Sequence, residues 1–184
     1  MEKLIYNPVQ REDIKGNETV VNELERAVYM LMAHSKAGNP LFEKGFFNQR
    51  QRLLLEGEPR SGKTMIAAYG MTLADKIADQ YAKDLEIAAL DCISPYKGMG
   101  VKKLRSQFEE ISRGDKIYYI FLNEIESMFP PEKHEEIKEL QKFLDNGYPN
   151  KGNYLLVAET TNPKSIVPEV RNKFKMLHCE KSCD

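Results

Sequence analysis

Residues 57–64 read Gly57-Glu58-Pro59-Arg60-Ser61-Gly62-Lys63-Thr64. The spacing is Gly, four residues, then Gly-Lys-Thr, which is the phosphate-binding loop called Walker A. A loop of this kind turns successive backbone N–H groups toward one point and runs into a helix N-terminus, so it forms a nest for an anion. In that geometry the Lys63 ammonium reaches the terminal phosphates of a nucleotide, and the Thr64 hydroxyl is offered to its Mg²⁺. Both flanks suit the motif. Leu53-Leu54-Leu55 is a short apolar run fit for a buried strand over 52–56. After the loop, Ile66, Tyr69, Leu73, Ile77 and Tyr81 recur at helical spacing and predict a helix over roughly 62–82. Strand, loop and helix in this order separate a working loop from a chance match in a Gly- and Pro-containing turn.

Outward from the loop, the chain alternates strands and helices. On the N-terminal side Val20, Val21, Leu24, Val28, Leu31 and Met32 mark an amphipathic helix, broken at Gly38-Asn39-Pro40 before Leu41. On the C-terminal side Leu85–Leu90 reads as a second strand. Residues 93–100 form a loop with Pro95, Gly98 and Gly100. A helix over 101–113 follows, with Val101, Leu104, Phe108 and Ile111 as its apolar face. Ile117–Leu122 is nearly all apolar, as a central parallel strand covered on both faces must be. A charged helix over 131–145 turns Ile137, Leu140, Phe143 and Leu144 inward. Tyr154–Ala158 and Met176–His178 complete the strands. This pattern predicts an α/β fold: a P-loop NTPase three-layer sandwich around a central, mostly parallel five-stranded sheet.

Composition narrows the class. The chain has 184 residues, 41% hydrophobic and 30% charged, and suits one soluble domain with a real core. A net charge of −1 gives no global case for nucleic-acid or acidic-membrane binding. No apolar run approaches the about 20 residues that span a bilayer. The N-terminus lacks the apolar core of a signal peptide. Three cysteines, Cys92, Cys179 and Cys183, are sparse and odd in number, which fits a reduced, cytoplasmic protein. His178, Cys179 and Cys183 lack a fourth ligand for zinc, and an ordinary tail accounts for them.

Further motifs bear on nucleotide chemistry. The strand 117–122 ends in Asn123-Glu124, where P-loop ATPases usually carry an acidic pair. The first acid of such a pair holds a Mg²⁺-bound water and the second polarises the attacking water. Asn123 offers only a neutral carbonyl oxygen, which predicts weaker metal retention. Glu124 keeps a general base available, and it could equally cap the helix that follows. Thr160-Thr161-Asn162-Pro163 follows the next core strand. The Asn162 amide there could bond the γ-phosphate or the lytic water, while Asn-Pro is also a strong turn dipeptide. Arg171 sits at an exposed helix end.

Taken together, these elements resemble the large α/β subdomain of AAA ATPases, within the AAA+ group, over nearly the whole chain. Asp13-Ile14-Lys15-Gly16 looks like the segment flanking the adenine pocket, which implies nucleotide contacts from Ile14 and Gly16 besides residues 57–64. Glu23-Leu24 and Gly45 fall where that family has its first helix and the approach to the loop. Ile120–Ser127 looks like its Walker B segment, with Asn123 as the departure. Glu159–Pro163 resembles its sensor 1, with Asn162 as the sensor. Val170–Phe174 resembles its arginine-finger segment, in which only Arg171 matches an arginine. Tyr96-Lys97-Gly98 falls where AAA unfoldases place an aromatic pore loop that grips a threaded polypeptide; an ordinary Pro/Gly loop with one exposed tyrosine reads the same way. A narrower likeness is to the second ATPase domain of NSF-type fusion ATPases.

The resemblance implies ATP or ADP with Mg²⁺ as ligands, a polypeptide substrate, and other AAA subunits as partners in a homo- or hetero-hexamer. It assigns Glu124, Asn162 and Arg171 to catalysis and Thr64 and Asn123 to the metal. It makes residues 1–184 one large subdomain, and the helical lid that the family places after the last strand would begin about where the sequence stops. Both an excised fragment and a degenerate member fit that. Three functions follow: an ATPase module of a protein-remodelling ring, weak in hydrolysis because of Asn123; a non-hydrolysing structural or regulatory subunit; and a DNA-associated AAA+ loader, which the net charge and Tyr96-Lys97-Gly98 disfavour. The basic cluster Lys102, Lys103 and Arg105 is better read as a solvated helix face.

Overall fold

In the computed structural model, residues 1–34, 51–145, 147–149 and 153–181 are described. The expected break at Gly38-Asn39-Pro40, and Leu41, Gly45 and Cys183, lie outside them. The chain order is β1 (Glu2–Lys3), α1 (Glu18–His34), β2 (Arg52–Glu56), α2 (Lys63–Gln80), β3 (Leu85–Ala89), α3 (Met99–Arg113), β4 (Ile117–Leu122), α4 (Ile125–Met128), α5 (His134–Leu144), β5 (Tyr154–Thr160), α6 (Pro168–Arg171) and β6 (Lys175–His178). The sheet order is β1-β3-β4-β5-β2-β6. The five strands β2 to β6 are mutually parallel, as the alternating pattern requires.

Two helical layers cover the sheet, and the strand period of two assigns side chains to them. Leu53, Leu55, Tyr119, Phe121, Leu155 and Val157 pack under α1 and α2. Leu54, Tyr118, Ile120, Leu122, Leu156 and Ala158 face the opposite way, under α3 and α5. Every residue of β4 is buried, which explains its unbroken apolar sequence. On the second face Phe108 of α3 stacks on Phe143 of α5 with ring centroids 4.2 Å apart. Each such pair adds about 0.5–1.5 kcal/mol beyond area burial.

Three details depart from the sequence reading. The sheet has a sixth strand, β1, paired antiparallel with β3 through Glu2↔Ala89 and Lys3↔Ala88. Two exposed residues carry no periodicity to detect, yet they close an otherwise open edge of β3. Tyr81 does not extend the buried face of α2. The helix ends at Gln80, and Tyr81 is 57% exposed. The buried face instead uses small residues, Ala67, Gly70, Ala74 and Ala78, which let α2 approach the sheet and α1 closely. Finally, α3 begins at Met99, with Gly98 (φ +76°) as its N-cap, so Gly100 belongs to the helix.

Candidate nucleotide-binding site

The carboxyl ends of β2, β5 and β4 lie side by side, because Glu56 pairs with Thr160 and Leu122 with Ala158. Open parallel sheets bind ligands along such an edge. Here the edge collects residues from three separate parts of the sequence.

The loop leaves β2 through Gly57. A Cβ at that position would stand 2.4 Å from the Cys179 carbonyl oxygen, so no side chain fits. The approach is held by the Cys179 N–H, which donates to the Glu56 carbonyl at 2.7 Å. Arg60 (φ +66°) and Gly62 (φ +86°) then bend the chain through left-handed conformations into the first turn of α2. Lys63 is buried, and its ammonium donates to the carbonyls of Gly57 and Glu58, both at 2.8 Å, and to Ser61 Oγ at 3.4 Å. The same cation can exchange these loop acceptors for phosphate oxygens. Glu58, Pro59 and Arg60 are exposed on the rim, while Ser61 is buried beneath it. Lys181 lies 2.6 Å from Glu58 and holds that carboxyl below its usual range.

Thr64 does not stand alone. Its hydroxyl lies against the Glu159 carboxylate, 2.9 Å from Oε2 and 3.1 Å from Oε1. Glu159 is 5% exposed, in the register position beside Leu55. Burial pushes its carboxyl up; the Thr64 hydrogen bond and the Lys63 charge work against that shift. The charges of Glu124 and Glu126 push it up further. In the sequence Glu159 is only the first residue of the sensor-like segment, with no role of its own. The available signal was a carboxylate directly after the apolar run Leu155–Ala158.

Asn123 and Glu124 directly follow β4 and are both exposed. Glu124 adopts φ +50°, uncommon for a residue with a Cβ, as it caps α4. Its carbonyl accepts from Ser127 N–H at 2.8 Å, so it also serves as the cap the sequence allowed for. Asn162 is exposed just beyond β5 and caps the turn Pro163–Ser165, its carbonyl accepting from Ser165 Oγ at 2.6 Å. Arg171 is half-buried at the end of α6, and its guanidinium donates to the Pro163 carbonyl at 3.2 Å. Ile14 is buried in the core beneath α1 and α2, and Gly16 (φ +72°) turns the chain toward α1.

Asn17 is a contributor the sequence reading missed. Its amide nitrogen donates to the Ser61 carbonyl at 3.3 Å and to the Glu180 carbonyl at 3.0 Å. Its carbonyl oxygen accepts from the Glu180 N–H at 2.8 Å. One amide thus clasps the N-terminal segment, the phosphate loop and the chain after β6. Nothing in the spacing of a lone asparagine announces that role.

The expected pore-loop residues stand apart from this edge. Tyr96 is 74% exposed and precedes the N-terminus of α3, and Ile93 earlier in the same loop is exposed too. The base of the loop is rooted: Gln107 exchanges hydrogen bonds with the Asp91 backbone at 2.7 and 2.8 Å, and Lys103 bonds the Asp91 carboxylate and the Ile93 carbonyl, both at 2.8 Å. Lys103 and Arg105 are therefore engaged in ion pairs, with Asp91 and Glu139. His178 lies 3.5 Å from Glu56, and Cys179 is buried. Among the described residues no three His, Cys, Asp or Glu side chains gather as a metal site. The oxygen donors of Thr64, Glu159 and Asn123 nonetheless suit a hard cation that takes the rest of its shell from phosphates and water.

Comparison with known proteins agrees with this geometry. The chain is 27% identical over 169 residues to protein CdcH of Halobacterium salinarum, covering 87% of this chain and 21% of that protein. It is 28% identical over 171 residues to the proteasome-activating nucleotidase of Methanothermobacter thermautotrophicus, covering 87% of this chain and 38% of that protein. The chain therefore spans about a fifth to two-fifths of the length of these relatives. Among solved structures, the FIGL-1 AAA domain in complex with ADP superposes with a TM-score of 0.65 at 21% identity, over 97% of this chain and 57% of that one. Residues 53–179, from the strand before the phosphate loop to the backbone that packs on Gly57, match the model of the ATPase family associated with various cellular activities. The chain belongs to the AAA family.

Proposed function

We propose that residues 1–184 form the large nucleotide-binding subdomain of an AAA machine that acts on polypeptides in a ring, and that its ATP hydrolysis is slow. The observation carrying this reading is the convergence of Lys63 and Thr64 with the ends of β4 and β5 at one sheet edge. Backbone N–H groups of residues 58–64 would cradle the phosphates, and Lys63 would neutralise the terminal ones. Thr64 and Asn123 would hold Mg²⁺, which would supply neutralisation of phosphate charge. Glu124 would accept the proton of an attacking water, and Asn162 would orient it. In this reading Gly16 and the backbone of buried Ile14 would contact the base. Arg171 would reach a nucleotide only in a neighbouring subunit. The missing carboxylate at Asn123 makes turnover slow. Tyr96, Lys97 and Gly98 would grip substrate. The two described free cysteines are buried, in keeping with a reduced, cytoplasmic setting.

A structural or regulatory subunit that binds nucleotide without turnover is the second reading, favoured by Asn123 alone. The DNA-loader reading is weakened by the pairing of Lys103 and Arg105 with carboxylates. Nucleotide binding and turnover test the proposal. Lys63→Ala should lose about 2–3 kcal/mol of nucleotide affinity, the size of a charge-assisted contact. Asn123→Asp should raise turnover, and Glu124→Gln should abolish it. Unchanged affinity in Lys63→Ala would refute the loop assignment. Fast turnover by the parent chain would refute slow hydrolysis.

A further inference from the structure

We propose that Glu159 supplies the carboxylate that holds the nucleotide's divalent cation beside Thr64, in place of the acid missing at Asn123. This rests on the reading of residues 57–64 as a nucleotide site. The register provides the first argument. Leu122 pairs with Ala158, so Asn123, just past the end of β4, and Glu159, within β5, are the next residues. Phe121 and Val157 both face the α1–α2 layer, and a period of two returns Glu159, still within β5, to that side. The carboxylate absent from the end of β4 is thus found one strand closer to the phosphate loop.

The second argument is electrostatic. A carboxylate that is 5% exposed needs compensation. Among the described residues the hydrogen-bond donor to Glu159 is a neutral hydroxyl, Thr64 Oγ1. Lys63 acts on it through charge, but that ammonium is hydrogen-bonded to Gly57, Glu58 and Ser61. Glu124 and Glu126 add like charge around Glu159, and Glu126 Oε2 is itself buried without a hydrogen-bond donor among the described residues. An excess of carboxylate at a phosphate loop is offset by a divalent cation. The third argument is the threonine. The hydroxyl that the loop offers to a metal is the group Glu159 contacts, so the two oxygens can share one ion or a water on it.

Asn123 then has two separable consequences. Metal-dependent affinity persists through Glu159. Slow turnover remains, because the relocated carboxylate does not restore the acidic pair next to Glu124.

The test is the affinity of a fluorescent ADP analogue in Mg²⁺ and in EDTA, for the parent, Glu159→Gln, Glu159→Asp and Lys63→Ala. The parent should bind more tightly with Mg²⁺. Glu159→Gln keeps size and an acceptor oxygen. It should lose about tenfold or more of the Mg²⁺-dependent gain while keeping its affinity in EDTA. Mn²⁺ counted by electron paramagnetic resonance on the ADP-loaded protein should fall in parallel. If Glu159→Gln does not fold, Glu159→Asp, which withdraws the charge by one methylene, should show a partial loss. Full retention of the Mg²⁺ gain in these variants overturns the proposal. So does a variant that tightens binding equally in both media, which makes Glu159 a repulsive group only. Failure of the nucleotide-site reading looks different: the parent then binds in neither medium, or Lys63→Ala changes nothing, and the Glu159 proposal falls with it.

Discussion

At Gly57 two stretches of backbone nearly touch, since an added Cβ would meet the Cys179 carbonyl oxygen at 2.4 Å. That oxygen belongs to a chain segment held by a main-chain hydrogen bond to Glu56 and cannot rotate away as a side chain would. Gly57→Ala should therefore cost roughly 1–3 kcal/mol, the scale of overpacking, and weaken nucleotide binding by shifting the loop. Gly16 is the contrasting case: its φ is +72°, but nothing lies within 4 Å of its Cβ position. Gly16→Ala should show only the roughly 1–2 kcal/mol cost of a left-handed backbone. Thermal melting with and without ADP checks both. Equal melting temperatures for the parent and Gly57→Ala would show that the approach is not tight in solution.

Between elements, α3 and α5 are joined by a buried carboxylate. Glu139 is 7% exposed, accepts from Arg105 Nη2 at 3.1 Å and also accepts from the Tyr148 hydroxyl. Burial acts to raise its carboxyl, but the Tyr148 and Arg105 hydrogen bonds outweigh it, and the net position is below the ordinary 4.5. The folded state thus prefers ionised Glu139 more than the unfolded state does. Its stabilisation is complete above the ordinary value and is lost as pH falls from 4.5 through the lower folded value. Melting curves from neutral to acid pH should fall more steeply for the parent than for Glu139→Gln. Parallel curves would mean that Glu139 does not couple folding to protons. The bond network also explains why an acid stands on the inner side of a helix whose apolar face reads cleanly.

For the whole molecule, the nucleotide edge and the Tyr96 loop are distinct places linked through the sheet. The loop roots at Asp91, just past β3, while the phosphate loop lies beyond β4 and β5 in the strand order. Under the proposed ring function, Tyr96→Ala should lower substrate translocation by the assembled machine severalfold and leave ADP affinity within about twofold. Its side chain is exposed, so stability should change by about 0.5 kcal/mol or less. Translocation of a fluorescent protein substrate, beside ADP titration, measures both. Equal translocation by Tyr96→Ala would remove the loop from substrate handling.

The sequence by itself determined the layers and the phosphate loop. Leu53–Leu55, Ile117–Leu122 and Tyr154–Ala158 are runs that only a doubly covered strand accommodates, and Gly57–Thr64 is a local motif whose backbone requirements are written in neighbouring residues. Periodicity and short motifs are properties of adjacent positions, so they survive without coordinates. What tertiary structure alone decided depends on residues far apart in the chain meeting in space. The β1 edge strand needed β3 to exist; Tyr81 left the helix face because α2 ended one residue earlier. Asn17 reaches Ser61 and Glu180 across 44 and 163 positions, and Glu159 meets Thr64 across 95. Whether Glu159 is merely a polar end to a strand or a neighbour of Thr64 follows from β5 lying beside β2, an arrangement set by how the sheet is ordered.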